Sequence, residues 1–432
     1  MSFASKADRD AVENEMPWAK RDVPKTMYEF INSVAKRHGQ RPGVSFQLTS
    51  GSKDNAETLS WQEFRDKSVQ TANMFRRLGI GETDVVAYLL PICNEAALTL
   101  IGGSIAGIAN PINPMLDPDQ IAAILRETNA KVLVTLRGFP KTDLAQLAAD
   151  AVAQAPNVET VLEVDLKRYL TPPKSWIVPL VRPKVIVTHS AKMMDFNAEL
   201  ERQNRVIDFV DATEDRLAAY FHTGGTTGMP KVAQHKYSGI VYNGWLGDRM
   251  LFNSEDTIIC PLPLFHVFAC HVILMAMISS GAHVVFPTPQ GYRGEGVFDN
   301  FWKLIERWNV SFMITVPTAI SALMQRPVDA DISTLKTAFS GSSPLPVELF
   351  KRFEKATGIE IVEGYGLTEV TCLVSCNPDQ GLKKVGSVGI PLPHTNVKVL
   401  LDMPNGPEEC GANEIGEICV ESPGVFAGNT YT

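Results

Sequence analysis

The sequence predicts an α/β protein built from packed, mostly parallel sheets, with a small β unit at the C-terminal end. Three observations carry that expectation. Residues 282–362 alternate β-rich apolar runs with amphipathic helical segments, the pattern of parallel strands joined by crossover helices. After about residue 385 that pattern gives way to short strands separated by Gly and Pro turns. Finally, 432 residues exceed one ordinary core, so two or three packed units are expected.

Taken in order, residues 27–39 (MYEFINSVAKRHG) read as a helix and 43–47 (GVSFQ) as a short strand. A second amphipathic helix follows at 61–79, ended by Gly79. The β-branched runs DVVAYLL and KVLVTL read as parallel strands with helical segments between them. The intervening NEAALTLIGGSIAG is apolar nearly all round, so it is expected as an interior helix packing closely through its glycines. The proline-rich stretch 169–186 (YLTPPKSWIVPLVRPKVI) reads as an irregular excursion that packs on the body or touches a membrane surface. In the second half, AHVVF, VSFMITV, LKTAFS and IEIV are strands, with helices at VFDNFWKLIERWN, TAISALM and PVELFKRFEKAT, the last ended by Gly358. The expected division is an extension over 1–26, α/β subdomains over 27–215 and 216–384, and the start of a β subdomain over 385–432.

Composition narrows the function classes. An apolar fraction of 45% with 20% charged residues describes a soluble globular chain. A formal charge of −8 argues against broad binding to nucleic acid, which needs a basic face. Seven cysteines, at 93, 260, 270, 372, 376, 410 and 419, form no C-x-x-C pair, which fits a reducing, cytoplasmic compartment rather than a disulfide framework or a zinc site. The N-terminus is charged and lacks the apolar core of a signal peptide. From Thr257 to Tyr292 no Asp, Glu, Lys or Arg occurs, but prolines at 261, 263, 287 and 289 interrupt the stretch. It reads as a buried helix followed by a buried strand, not a membrane span.

Four loops carry candidate chemistry. The first is FHTGGTTGMPKVAQ (221–234), entered from an apolar segment and left through an expected helix. Gly224, Gly225 and Gly228 let backbone N–H groups turn toward an anion. Thr223, Thr226 and Thr227 add hydroxyls, and Lys231 a positive charge. Met229-Pro230 separates Gly228 from Lys231, so the Gly-Lys-Ser/Thr pattern of P-loop nucleotidases fails. By right-handed crossovers, the loops at Pro317-Thr318, Gly341–Pro344 and Glu363–Glu369 should meet at the carboxyl edge of one sheet. There Tyr365 can stack on a base, Thr368 can donate to a phosphate, and Glu369 can hold Mg²⁺. His266, in PLPLFHVFACH, can sit either as a hydrogen-bonded core residue or at the polar end of an apolar pocket.

In this order and at these separations, the loop 223–231, PLFH (263–266), SGSSPLP (340–346), GYGLTE (364–369) and GSVGIPLP (386–393) resemble the motifs of the adenylate-forming superfamily. That superfamily includes acyl-CoA synthetases, firefly luciferase and peptide-synthetase adenylation domains. The resemblance spans about residues 27–428, and within the superfamily fatty-acyl-CoA synthetases are the most similar group. It implies the large N-terminal domain of that fold. The expected activity is ATP-dependent conversion of a carboxylic, fatty, acid to an acyl-adenylate, then transfer to coenzyme A, with ATP, Mg²⁺ and coenzyme A as cofactor and co-substrates.

The resemblance also implies roles. The 223–231 loop would hold the β- and γ-phosphates, with Thr223 and Glu369 near Mg²⁺. Gly341, Ser342, Ser343 and Pro344 would sandwich adenine with Tyr365, in a site that also includes Glu363, Gly364 and Gly366. Thr368 would contact the α-phosphate and His266 would meet the acyl carboxylate. Val316, Pro317 and Gly364 would border the acyl pocket, Gly364 leaving room for a chain. Lys231, Thr226, Thr227, Thr368, Glu369 and His266 are thus the expected catalytic set. The sequence departs from the family pattern at Gly224 (usually Ser), Val232 (usually Gly) and Asn429 (usually Tyr). The family's Thr-Gly-Asp motif and lysine-bearing C-terminal domain do not occur before Thr432, so a truncated N-terminal portion with little full activity is expected. Two alternatives stand beside the synthetase: a ligase delivering to an acyl carrier protein, and a non-catalytic nucleotide- or acyl-binding fragment. No nucleic-acid partner is expected, and membrane contact is at most peripheral.

Overall fold

In the computed structural model, residues 3–223, 230–404, 406–429 and 431 are described. Two large sheets and one small one organise the chain. The first runs Lys192–Asp195, Thr160–Val164, Ala130–Leu136, Val85–Leu89, Ile108–Pro111, Leu217–His222, Val232–Lys236, parallel except for the last pair. The second has nine strands. Its parallel centre is Ile361–Gly366, Thr337–Ser340, Phe312–Thr315, Thr257–Ile259, His283–Pro287 and Pro42–Gln47. Antiparallel strands close both of its edges, Ala56–Ser60 on one side and Leu373–Cys376 with Ile390–Pro391 on the other. Asn396–Leu401, Glu408–Glu409 and Glu417–Glu421 make the small antiparallel sheet expected after residue 385.

Sheet membership interleaves along the chain. Pro42–Gln47 and Ala56–Ser60 lie within 27–215 yet belong to the nine-stranded sheet. Leu217–His222 and Val232–Lys236 lie within 216–384 yet complete the seven-stranded one. Neither sheet is therefore confined to one of those two segments.

Local chemistry accounts for the helices. Trp61–Arg77 opens on a capping box: the Ser60 hydroxyl accepts from the Glu63 N–H (3.2 Å), and the Glu63 carboxylate accepts from the Ser60 N–H (2.8 Å). Asn94–Ala106 is buried along its whole length. A Cβ on its Gly102 would lie 2.6 Å from the Thr71 side chain of the neighbouring helix, so that contact requires glycine. The fully buried Glu95 on this helix is held by Arg168 (2.7 Å) and the Tyr169 hydroxyl (2.7 Å), which compensates its lost hydration.

The charge-free stretch 257–292 is interior. After Thr257–Ile259 come a π-helical segment, Phe268–Leu274, the helix Met275–Ser280 and the strand His283–Pro287. Among the described residues, no helix is long and apolar enough to cross a membrane.

Two local expectations are corrected. The glycine-rich segment leaves through the strand Val232–Lys236, and a helix begins only at Tyr237. Antiparallel pairing with the preceding strand, which buries Val232, Ala233 and His235, explains the strand. The 169–186 excursion contains a helix, Lys174–Val181, with Pro179 inside it.

Candidate active site

The geometry begins at one row of the nine-stranded sheet. Thr315, Ser340 and Glu363 are paired neighbours on three adjacent parallel strands. The loops after the first two strands leave at that row, at the carboxyl edge where open α/β sheets bind ligands. Ser340 leads into Gly341, whose Cβ position would lie 3.0 Å from the Phe268 ring. Ser342 follows in the left-handed region at φ 69°. Glu363 is buried, and its two carboxylate oxygens accept from the backbone N–H groups of Leu345 (3.3 Å) and Gly386 (3.0 Å). It ties the 341–345 loop and the 386 turn to its own strand. Gly364 differs from its expected role. A Cβ there would fall 2.3 Å from the Phe339 ring, so its bareness accommodates Phe339 rather than an open channel.

The second component arrives from the other large sheet. Leu217–His222 and Val232–Lys236 form an antiparallel pair, and the Thr223 N–H donates to the Lys231 carbonyl (2.9 Å) across their open end. Gly224, Gly225, Thr226, Thr227 and Gly228 lie outside the described residues. Val232, where the resemblance expects glycine, is the first strand residue, buried and paired with His222.

A buried histidine pair joins the two components. His235 Nε2 lies 2.8 Å from the Thr368 carbonyl, and His235 Nδ1 lies 3.1 Å from His271 Nε2. Phe221 stacks on His235 at 5.1 Å. Burial lowers the pKa of His235 to about 4 and that of His271 well below the ordinary range, so both rings are neutral near pH 7. The carbonyl accepts, so His235 carries its proton on Nε2 and His271 must donate to Nδ1 from its own Nε2. The remaining nitrogen, His271 Nδ1, is then a lone-pair acceptor, and it has no partner among the described residues. The pair thus fixes the carbonyl of Thr368 against the strand that follows the glycine-rich loop.

Thr368 opens a short turn, Thr368–Val370. The Glu369 carbonyl accepts from the Phe426 N–H (2.9 Å), and its carboxylate accepts from the Tyr431 hydroxyl. That bond raises the Tyr431 pKa to about 12. The exposed Lys231 ammonium sits 4.9 Å from the centroid of the same ring. Lys231 and Glu369 therefore converge on one tyrosine from opposite components. Tyr431 carries no motif in the sequence; only its position three residues after Gly428 hints at it.

A cavity of about 1340 Å³ opens between segments from both halves of the chain, larger than the roughly 300–1,000 Å³ of ordinary small-molecule sites. His266, Val316 and Ser342 line it, as do Thr318 and Ala319. Phe139, Leu170, Ile177 and Val178 come to it from the first half of the chain, and none of them was singled out by sequence reasoning. Apolar residues distributed over distant segments give no local signal. His266 is exposed toward the cavity, while the protein around it desolvates the ring and lowers its pKa. Its Nδ1 accepts from the Phe268 N–H (3.2 Å), so the neutral ring holds its proton on Nε2 as a donor. Tyr365 and Gly366 continue the Ile361–Gly366 strand, paired with Ser375 and Leu373; Ser343 and Pro344 are exposed.

Among the described residues no cluster of three or more His, Cys, Asp or Glu forms a protein cage for a metal. Thr223 and Glu369 offer one hydroxyl and one carboxylate. Hard oxygen donors of these kinds are ones Mg²⁺ takes, keeping most of its shell for water and phosphate oxygens; the Glu369 carboxylate here accepts from the Tyr431 hydroxyl.

Comparison with known proteins matches the AMP-binding enzyme family over residues 31–429. The marinolic acid–CoA ligase of Pseudoalteromonas sp. (strain SANK 73390) is 31% identical, over 95% of this chain and 61% of its own length. The long-chain-fatty-acid–CoA ligase of Bacillus subtilis (strain 168) is 27% identical, over 96% of this chain and 74% of its own. The chain thus spans between three-fifths and three-quarters of these relatives. Among solved structures, the anthranilate CoA ligase AuaEII in complex with anthranoyl-AMP superposes with a TM-score of 0.78 at 20% identity, covering 95% of this chain and 72% of that one. At that identity the likeness is one of fold.

Proposed function

The chain belongs to the AMP-binding enzyme family, and from that premise we propose that it serves the ATP-dependent activation of a fatty acid to an acyl-adenylate, followed by thioester formation with coenzyme A. One observation supports this reading above the others: His266 and Ser342, from two of the recognised loops, open onto one large apolar cavity. A carboxylate can meet a nucleotide at its polar end while an alkyl chain extends away from it.

The residues divide the work as follows. Amides of Gly224, Gly225 and Gly228, the hydroxyls of Thr223, Thr226 and Thr227, and Lys231 neutralise the β- and γ-phosphates and the departing pyrophosphate. Thr368, fixed through its carbonyl by His235, contacts the α-phosphate. Gly341 to Pro344 and Tyr365 flank adenine, with Gly364 and Gly366 shaping the strand beneath; Glu363 acts by holding the 341–345 loop. His266 presents Nε2–H to the acid's carboxylate, orienting it in line with the α-phosphorus. Thr223 and Glu369 would hold Mg²⁺, which supplies charge neutralisation on the phosphates when bound. With all seven cysteines free, a reducing, cytoplasmic setting accords with this chemistry.

Exchange of labelled pyrophosphate into ATP, measured with acids of increasing chain length, tests the reading. Exchange that requires a carboxylic acid and favours long chains is the expected result. ATP hydrolysis to ADP without acid-dependent exchange would overturn it.

A further inference from the structure

The Lys174–Val181 helix presents an unusual surface. Trp176 is 69% exposed, Ile177 49%, Leu180 84% and Val181 56%, and Ile186 (65%) and Val187 (44%) follow within a few residues. Single exposed apolar side chains are ordinary, but so many within one short segment point to an interaction site.

The charge around it is equally local. Between Leu166 and Met194 there are six basic residues (167, 168, 174, 182, 184 and 192) and no Asp or Glu, in a chain whose net charge is −8. Arg168 is engaged by Glu57 and Glu95, and Arg182 by Asp165. Lys184 and Lys192 are exposed and form no ion pair among the described residues, while the exposed Lys174 acts on Asp54 only at longer range.

The segment is fastened at both ends. Before the helix, Arg168 and Tyr169 hold the buried Glu95. After it, Arg182 reaches Asp165 (2.7 Å) and the Gly138 carbonyl (2.8 Å). Its inner face belongs to the cavity, lined by Lys174, Ile177 and Val178, and Val178 is buried. Trp176 and Leu180 project from the other face. One helix thus walls the cavity and displays apolar residues, and two lysines unpaired among the described residues follow it in the same acid-free segment.

We propose that this helix docks the protein on an anionic lipid surface, Trp176 and Leu180 entering the headgroup boundary and Lys184 and Lys192 meeting lipid phosphates, so that the cavity wall rests on the membrane. Exposed apolar side chains in a segment whose only charges are basic fit an interfacial anchor. A second copy of the chain fits less well, because a two-fold contact through this patch would bring its lysines against one another. The docking rests on this surface alone; the use of the membrane as a source of acyl substrate rests on the proposed function.

Sedimentation with vesicles, without ATP or acid, tests docking independently of catalysis. The probes are phosphatidylcholine vesicles and phosphatidylcholine–phosphatidylglycerol vesicles. The wild-type protein should sediment with the mixed vesicles, less so at high salt, and much less with phosphatidylcholine alone. Lys184→Glu with Lys192→Glu, and separately Trp176→Ser with Leu180→Ser, should each weaken binding at least about tenfold. All four side chains are exposed, so the thermal midpoint should be unchanged; a variant whose midpoint falls is replaced by Lys184→Gln with Lys192→Gln, expected to weaken binding in the same direction. Wild-type protein left in the supernatant by both vesicle types, or variants that bind as it does, would overturn the proposal. So would a lipid-independent dimer abolished by the Trp176 and Leu180 changes.

Discussion

The exposed Lys231 side chain meets the Tyr431 ring, while its backbone carbonyl keeps the Thr223 bond whatever the side chain, so truncating it separates function from folding. Lys231→Ala should lower acid-dependent pyrophosphate exchange by about a hundredfold or more and leave the unfolding midpoint where it was. His235 should behave oppositely. Replacing it with Ala leaves the buried Thr368 carbonyl and His271 without their partner, at about 1–3 kcal/mol, so both the urea midpoint and exchange should fall. The histidines also set an acid limit on stability. Burial lowers His222, His235 and His283 to about 4 each, against about 6.5 in an unfolded chain. Between those values the unfolded state binds more protons, so stability falls as pH drops through the window, by up to about 1.4 kcal/mol per unit for each ring. Urea unfolding at pH 7 and pH 5 should show the loss; equal midpoints would show that these rings are hydrated in the native state.

At the level of the element, legibility followed locality. Trp61–Arg77 is legible from its amphipathic pattern and from the glycine at 79, which takes φ 86°, while the Ser60–Glu63 capping box that fixes its start is a finding of the structure. The Thr337–Ser340 and Ile361–Gly366 strands, and the loop between them, follow from periodicity and right-handed crossovers. Val232–Lys236 was misread as helix because its strand character comes from pairing with Leu217–His222. Lys174–Val181 was hidden by its prolines, since Pro179 in a short apolar run reads as a breaker. Glu363 illustrates a residue whose place was legible and whose bonding was not: a carboxylate in a nucleotide loop suggests a ligand contact, while its oxygens accept two backbone amides. Glu363→Ala should therefore destabilise the protein by about 1.5–3 kcal/mol, measured by denaturant unfolding, and Glu363→Gln by less.

On the scale of the whole molecule, the site is an agreement between segments far apart in sequence. The strands on either side of the glycine-rich stretch belong to one sheet, Glu369 sits in a turn between strands of the other, and the cavity draws walls from both halves of the chain. Family resemblance could name the loops; no periodicity names Phe139 or Ile177 as their neighbours. Ala319 lines the cavity from the helix after the Phe312–Thr315 strand. Ala319→Trp should fill part of the space, raising KM for long acids by about tenfold or more while sparing short ones; a uniform effect on all acids would place the chain elsewhere. The interleaved sheets also bear on how the protein is made. Val44 is paired with Val284, and Ala219 with Ala109, so a ribosome must emit most of the chain before the Pro42–Gln47 strand meets its parallel neighbour. Until then that apolar edge waits unpaired, which makes folding slow and aggregation the competing fate. A nascent chain halted before His283 should be the species that holdase chaperones capture.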